Sequence, residues 1–292
     1  MEFKLKNDKT EICIHGRGAE LQSLKKDGQE YLWQGDPKYW NERSPLLFPF
    51  VGRFTEGKYT YYGQEFEMML HGFARETQFY PDEAKCSETR VCLYTEDNEK
   101  TRKMYPVRFR MEVCYELTEN KIRVSYTVLN KDEKNMFFGL GGHPGFQVPL
   151  EEGLCFEDYY LEFEQECIPD RIGFTKSCFL NGERTVYPLE KKKILPLTHA
   201  LFDEDAIVLE NMARAVTLKS KKGKRSVKIS YPQMNYIGFW HAPHTKAPYV
   251  CIEPWVSLPS RQDVVEEFSQ RSNLICLKQG QEYKNCWQME VE

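Results

Sequence analysis

The chain has 292 residues, of which 41% are apolar and 14% aromatic, and its 40 basic and 44 acidic side chains leave a net charge of −4. Because these charges are interspersed, they argue against a general nucleic-acid binder, which would carry a basic surplus. No apolar run approaches the ~18 residues of a membrane-spanning helix, and the first residues lack the apolar core of a signal peptide.

The first half of the chain is predicted to be mostly β-strand. A short helical pattern at residues 36–43 precedes strands at 58–62 and 66–69, and the charged stretch 96–103 is interpreted as a surface loop. Apolar and polar residues then alternate over residues 107–128, with a turn near Asn120. A period of two on both sides of a turn predicts a β-hairpin.

The second half repeats this character. A second hairpin is predicted over residues 215–231, and a short helical pattern lies at residues 263–268. Many short strands with few helices are typical of an all-β sandwich or barrel, so we predict a single domain over residues 1–292. The other strands are predicted at residues 159–163, 249–253 and 283–291.

Ten cysteines are scattered along the chain without a CxxC pair. We therefore expect reduced thiols, no disulfide framework and a cytoplasmic location. His241 and His244 could begin a metal site, but two nearby prolines and the lack of a third ligand favour an exposed loop. His15 and His199 are interpreted as structural histidines.

The glycine-rich run at residues 139–146 carries the strongest chemical signal. It reads Gly-Leu-Gly-Gly-His-Pro-Gly-Phe, and Pro144 disfavours helical geometry at His143. We expect a tight loop or strand edge that presents one imidazole with little bulk around it. Such a group suits a general acid or base that must meet a substrate.

Three other segments offer polar groups in apolar surroundings. His71 follows an apolar segment, as either a core or a site histidine, and Arg75 lies four residues on. Arg53 is either paired with a carboxylate or used to bind a ligand. Glu253 ends an apolar strand before Pro254-Trp255, so burial should raise its pKa and make it a better base. The alternative for Glu253 is a buried salt bridge to Arg53 or Arg75.

Taken together and in this order, these segments resemble the aldose 1-epimerase (galactose mutarotase-like) family, and within it the LacX-like branch. The resemblance covers essentially the whole chain. The matching segments are ELQSL at 20–24, YLWQGDP at 31–37, SPLLFP at 44–49, VGR at 51–53, HGFAR at 71–75, GGHPGF at 141–146 and CIEPW at 251–255.

The resemblance implies a large antiparallel β-sandwich (a galactose mutarotase-like supersandwich) with a few short helices and an open cleft. It implies an enzyme that interconverts the α and β anomers of a small-molecule sugar without a cofactor or a metal. Glu253 matches the general base and His143 the general acid. The predicted sugar contacts are His71, Arg53, Arg75, Asp205 and Trp255.

Ring opening of the sugar needs two proton transfers, so we expect an ionised Glu253 and a protonated His143, and activity that is bell-shaped in pH. Two alternatives stay open. Glycoside hydrolysis normally needs two carboxylates, and only one well-placed candidate is found. A carbohydrate-binding or regulatory module would keep the cleft with little turnover.

The sequence leaves several properties undecided. It does not name the aldose, and Arg53 or Arg75 could pair with a phosphate. It does not distinguish a monomer from a homodimer, but it offers no nucleic-acid or membrane partner. Residues 256–263 depart from the short glycine-containing turn that the family leads us to expect, so we predict an altered rim of the cleft.

Overall fold

The computed structural model describes residues 1–292, and antiparallel strands make up most of its regular structure. The strands are β1 (Glu2–Lys6), β2 (Thr10–His15), β3 (Glu20–Lys26), β4 (Gln29–Glu30), β5 (Leu46–Leu47), β6 (Lys58–Tyr61), β7 (Gln64–Glu67), β8 (Tyr80–Pro81), β9 (Arg90–Glu96), β10 (Phe109–Thr118), β11 (Lys121–Asn130), β12 (Met136–Phe138), β13 (Gly141–Gly142), β14 (Gly145–Gln147), β15 (Tyr159–Phe163), β16 (Asp170–Phe174), β17 (Leu180–Val186), β18 (Ile194–Pro196), β19 (Ile207–Glu210), β20 (Ala215–Ser220), β21 (Ser226–Ser230), β22 (Tyr236–Trp240), β23 (Tyr249–Trp255), β24 (Ile275–Leu277) and β25 (Glu282–Val291).

Helices are few and short. The α-helix α1 (Glu99–Met104) lies between β9 and β10. None of the helices has the length and apolar character that a membrane crossing requires. The 3₁₀ turns are Thr55–Gly57, Ala74–Glu76, Glu83–Lys85, Phe156–Asp158, His199–Phe202 and Phe268–Gln270.

Two large antiparallel sheets organise the chain. The nine-stranded sheet has the order β18-β15-β20-β21-β25-β11-β10-β9-β8. The eight-stranded sheet has the order β17-β16-β19-β22-β23-β13-β5, and β14 also pairs with β23. A four-stranded sheet, β1 to β4, and the two ribbons β6-β7 and β12-β24 complete the sheets. This architecture confirms the predicted antiparallel β-sandwich with a few short helices.

The main core consists of 64 buried residues and takes side chains from both large sheets. Val124 and Val128 of β11 enter it from the nine-stranded sheet, and Ile237 and Ile252 enter it from the eight-stranded sheet. Successive side chains of a strand point to opposite faces, so each sheet buries one set of alternating residues in this core.

The two predicted hairpins are confirmed. β10 and β11 pair from Phe109 opposite Asn130 to Thr118 opposite Lys121. β20 and β21 pair in the same antiparallel manner around the turn that contains Gly223. These elements were predictable because their alternation is long and their turns are short.

The helix predictions were wrong. Residues 36–43 form turns in which the Asp36 side chain accepts a hydrogen bond from the Lys38 N–H, and residues 263–268 contain no α-helix. The one α-helix lies instead in the stretch interpreted as a loop. Its N-terminus carries a capping box, in which the Asn98 side chain accepts from the Thr101 N–H and Thr101 Oγ1 accepts from the Asn98 N–H. This Asn-x-x-Thr signal was overlooked.

One disulfide corrects the expectation of reduced cysteines throughout. Cys92 and Cys114 lie directly opposite each other in β9 and β10 and are bonded, whereas the other eight cysteines are free. The pairing depends on strand register, which brings residues 22 apart in sequence next to each other. Scattered spacing along the chain gave no indication of it.

Strand β23 lies inside the eight-stranded sheet and is buried along its whole length. Val250 and Ile252 point into the main core. The alternate residues, Cys251 and Glu253 among them, therefore point to the other face of the sheet. The candidate site lies on that face.

Candidate active site

A cavity of about 330 Å³ opens on this face of the eight-stranded sheet. Its walls contain every residue that the sequence singled out for a role in the site. These residues are Arg53, His71, Arg75, His143, Asp205, Glu253 and Trp255. The structure therefore brings together groups from five separate segments, although their individual roles stay predictions.

Strand register places Glu253 in the wall of the cavity. Gly238 of β22 lies opposite Glu253, and Val208 of β19 lies opposite Gly238. Gly238 has no side chain, so the Glu253 carboxyl is not covered by its cross-strand neighbour. Only 1% of Glu253 is exposed.

The same register places His143 next to Glu253. Gly141 pairs with Trp255 and Gly145 pairs with Cys251, so the residue midway between the two glycines lies opposite Glu253. His143 Nε2 and Glu253 Oε2 are 3.2 Å apart. Their alignment is not that of a hydrogen bond, because Glu253 Oε2 has no hydrogen-bond partner.

The glycine-rich run agrees only in part with the predicted loop or strand edge: His143 and Pro144 form a two-residue break between β13 and β14, but the run is not at the edge of the sheet. β13 lies between β23 and β5, inside the sheet, and His143 is only 8% exposed. The glycines make room for aromatic rings: a Cβ at Gly141 would lie 2.6 Å from the Trp255 ring, and one at Gly145 would lie 2.9 Å from the Trp40 ring. Side-chain volume, rather than chain flexibility, explains the glycines.

Two tryptophans that the sequence analysis missed enclose the imidazole. The ring centroids of Trp40 and His143 are 4.9 Å apart, and Trp240 meets the same imidazole edge-on at 5.7 Å. Both tryptophans line the cavity. The high aromatic content was a signal for a ligand cleft, but it did not indicate which of the five tryptophans takes part.

Burial drives both members of the pair toward their neutral forms. Desolvation, reinforced by the charge of Arg75, lowers the pKa of His143 to about 3. Desolvation, with a smaller contribution from Asp205, raises the pKa of Glu253 well above its ordinary value, and the Trp255 indole only partly offsets this. Burial therefore opposes the predicted imidazolium and carboxylate and favours the neutral form of each group. A neutral pair nevertheless holds the same single proton as that ion pair.

His71 is held by a reciprocal contact with Gly52. The backbone N–H of His71 donates to the Gly52 carbonyl at 2.7 Å, and the Gly52 N–H donates to His71 Nδ1 at 3.0 Å. Because Nδ1 accepts, the neutral ring carries its proton on Nε2 and can donate from there. Burial and the nearby His143 lower the pKa of His71, which favours this neutral form.

The two arginines differ in their freedom. Arg75 Nη1 donates to the Glu42 carboxylate at 3.0 and 3.2 Å. The Arg53 side chain is exposed at the cavity and has no ion-pair or hydrogen-bond partner. Neither arginine pairs with Glu253, so the alternative of a buried salt bridge to Arg53 or Arg75 was wrong.

Asp205 lies in the cavity wall with a positive φ of 70°. Its Oδ1 accepts from the Ala206 N–H, and its Oδ2 accepts from the Cys178 thiol at 2.6 Å. Cys178 also lines the cavity and was missed by the sequence analysis. Burial, reinforced by the contact with Asp205, raises the pKa of this thiol to about 12.

The segment that departs from the family pattern reaches the cavity at Pro259. Gly52 has a positive φ of 84°, and a Cβ there would lie 2.3 Å from Pro259 Cγ. Asp263, at the end of the segment, is exposed and does not line the cavity. The altered rim therefore amounts to one proline packed against the loop that carries Arg53.

The histidines outside the cavity need one correction. His241 is fully buried rather than part of an exposed loop, and its Nε2 lies 3.2 Å from His199 Nδ1. His244 is exposed, as predicted. Because His241 and His244 point into different surroundings, they do not form a common metal site.

The chain matches the family model described as aldose 1-epimerase over residues 1–289. It is 35% identical over 267 residues to the plasmid-encoded protein LacX of Lactococcus lactis subsp. lactis, with 88% of each chain covered. A galactose mutarotase related enzyme from Lactobacillus acidophilus superposes with a TM-score of 0.94 at 32% identity, covering 100% of this chain and 97% of that one. A galactose mutarotase-like protein from Lactobacillus casei gives the same TM-score and identity with both chains covered completely.

Proposed function

This chain belongs to the aldose 1-epimerase family, and we propose that it is an isomerase that interconverts the α and β anomers of an aldose by general acid–base ring opening. The observation that carries the proposal is the buried pair of Glu253 and His143, whose facing atoms are 3.2 Å apart in the cavity wall. The reaction requires one group that accepts a proton from the sugar and a second group that donates a proton to it.

The reaction moves one proton in each direction. The Glu253 carboxylate accepts the proton of the anomeric hydroxyl, and protonated His143 donates a proton to the ring oxygen as the bond between that oxygen and the anomeric carbon breaks. Rotation about the bond between the first two carbons presents the other face of the aldehyde. The two transfers then run in reverse and close the ring as the other anomer.

The adjacency of the pair suits this chemistry. The ring oxygen and the anomeric hydroxyl are bonded to the same carbon, so two groups on one wall can reach both. The neutral pair becomes the reactive ion pair when one proton moves from Glu253 to His143, and no proton need be exchanged with solvent. Each positioned transfer contributes about 10²–10⁴-fold to the rate.

The remaining side chains supply binding. His71 offers Nε2–H as a donor to a sugar oxygen, and Arg53 offers a free cation at the opening of the cavity. The volume of about 330 Å³ lies at the small end of ligand pockets, which suits a single sugar ring. An aldose, either free or phosphorylated, is the substrate class that these groups fit.

The test measures anomer exchange directly. Freshly dissolved α anomers of several free and phosphorylated aldoses are followed by polarimetry and anomer-resolved NMR, with wild type, His143→Ala and Glu253→Ala. We expect exchange catalysed by wild type and a loss of at least about 100-fold in each variant. Glu112→Gln, which alters a buried glutamate of β10 away from the cavity, is the control and should retain activity.

The outcomes separate the open alternatives. If both site variants keep the wild-type rate, the assignment of acid and base is wrong. If wild type binds a sugar, measured by calorimetry, but does not accelerate its anomerisation, the chain is a carbohydrate-binding module rather than an epimerase.

A further inference from the structure

A third side chain with a metal-binding atom lies beside the proposed acid–base pair. Cys251 precedes Glu253 by two residues in β23, so both point to the same face of the sheet. His143 lies opposite Glu253 in the neighbouring chain segment. One ligand atom from each residue lies within 4.8 Å of the other two, and all three residues are buried.

We propose that His143, Cys251 and Glu253 form a binding site for a thiophilic divalent cation such as Zn²⁺. Imidazole nitrogen, thiolate sulfur and carboxylate oxygen are all zinc ligands, and three protein ligands with one open position are typical of zinc sites that bind water or substrate. His143 and Glu253 line the cavity, whereas Cys251 lies behind them and does not. Nothing in the proposed isomerisation uses Cys251.

An unpaired atom of the cluster points to a missing partner. Glu253 Oε2, which faces His143 Nε2, is buried without a hydrogen bond. His143 Nε2 and Glu253 Oε2 are close but not aligned as donor and acceptor. Their separation of 3.2 Å is near that expected for two atoms bound at about 2.0–2.1 Å to one tetrahedral ion.

Charge balance favours a divalent ion at this depth. As metal ligands, a cysteine thiolate and a glutamate carboxylate carry one negative charge each, and a histidine imidazole carries none. The thiolate and the carboxylate together then cancel the two positive charges of the ion. A neutral assembly avoids the large cost of burying an unbalanced charge.

The site would make the metal an inhibitor. The ion would occupy the two atoms that the proposed reaction needs for proton transfer, so metal and sugar would compete for the same wall of the cavity. This consequence rests on the proposed function, whereas the binding of the metal itself does not.

The direct test is spectroscopic. Full-length protein is titrated with Co²⁺ in buffer free of reductant and chelator, so that the Cys92–Cys114 disulfide remains intact. We expect one Co²⁺ per chain, with a near-ultraviolet thiolate-to-cobalt band that Zn²⁺ removes by displacement. In Cys251→Ser the band should be absent, and calorimetry should show Zn²⁺ affinity weakened by more than about 100-fold. Losing a residue that only hydrogen-bonds a metal ligand already weakens affinity by up to about 100-fold, and losing a ligand should cost more.

Two further variants keep the test decisive. Cys178→Ser alters another thiol in the cavity wall and should retain the band, whereas His143→Asn removes the imidazole and leaves the Cys251 thiol in place, so it should weaken Zn²⁺ binding to a similar degree. A band that persists in Cys251→Ser, or that disappears in Cys178→Ser, overturns the proposal. So does the absence of any thiolate band in wild type.

An activity measurement then addresses inhibition separately. The ratio of anomerisation rates with and without Zn²⁺ is compared between wild type and Cys178→Ser, and aldose should relieve the inhibition in both. If wild type has no anomerase activity but shows the cobalt band, the metal site stands and the proposed function fails. If activity is present but the cobalt band is absent, the metal proposal fails and the proposed function stands.

Discussion

Replacing Glu253 by glutamine is expected to stabilise the fold while abolishing anomer exchange. Burial raises the pKa of Glu253 well above 4.5, its ordinary value in the unfolded chain. Above pH 4.5 the unfolded chain has therefore released a proton that the folded chain still holds. The unfolding free energy of wild type then falls by about 1.4 kcal/mol per pH unit until the folded-state pKa is reached.

Glutamine has nearly the same shape as the protonated carboxyl and no charge to gain in the unfolded chain. The loss of stability with pH is therefore absent from the variant, and the gap between Glu253→Gln and wild type should widen with pH. Urea unfolding of both proteins at pH 5.5 and pH 6.5, with a chelator present, should show the gap growing by about 1.4 kcal/mol in favour of the variant. Groups unaffected by the substitution cancel in this difference.

Glu112→Gln is the matched control, because Glu112 is also a buried glutamate but its carboxylate contacts Lys85 Nζ at 2.6 Å. Removing that charge takes away the nearer of the two carboxylates beside Lys85, the other being Asp82 at 3.6 Å, so this variant should be less stable than wild type. The reasoning is refuted if the gap between Glu253→Gln and wild type is the same at the two pH values, or if it narrows as the pH rises. A constant gap would mean that the folded pair holds no proton, with Glu253 ionised beside a neutral His143.

Two other predictions concern catalysis. The pKa of His143 is lowered to about 3 by burial, so the second proton that would inactivate the pair binds only in strong acid. In a pH–rate profile kcat/KM should therefore not fall as the pH drops from 7 to 6, and an acidic limb near pH 6.5 would contradict a buried neutral imidazole. Arg53→Ala should raise KM for a phosphorylated aldose by about 10-fold or more and leave kcat unchanged, because the variant loses a charged hydrogen bond worth roughly 1.5 kcal/mol. A fall in kcat at constant KM in steady-state assays would instead mean that Arg53 stabilises the transition state more than the bound substrate.

Several features of the fold followed from local sequence. The alternation over residues 107–128 predicted the hairpin of β10 and β11, because a strand that is buried on one face must alternate to keep polar groups out of the core. The motifs around His71, His143 and Glu253 indicated the family and the residues of the cavity wall, because each motif is a short contiguous run of unusual composition. The helix at Glu99–Met104 was also predictable from local sequence, because its capping residues Asn98 and Thr101 are three positions apart, but this signal was overlooked.

The charge state and the surroundings of the site depended on tertiary structure. The sequence alone indicated that a histidine and a glutamate act together, but only the pairing of Gly141 with Trp255 and of Gly145 with Cys251 places them 3.2 Å apart. The same register brings Cys251 beside them, and folding closes Trp40 and Trp240 around the imidazole. Burial by these distant segments favours the neutral form of each group, because desolvation depends on atoms that are close in space and not on neighbours along the chain.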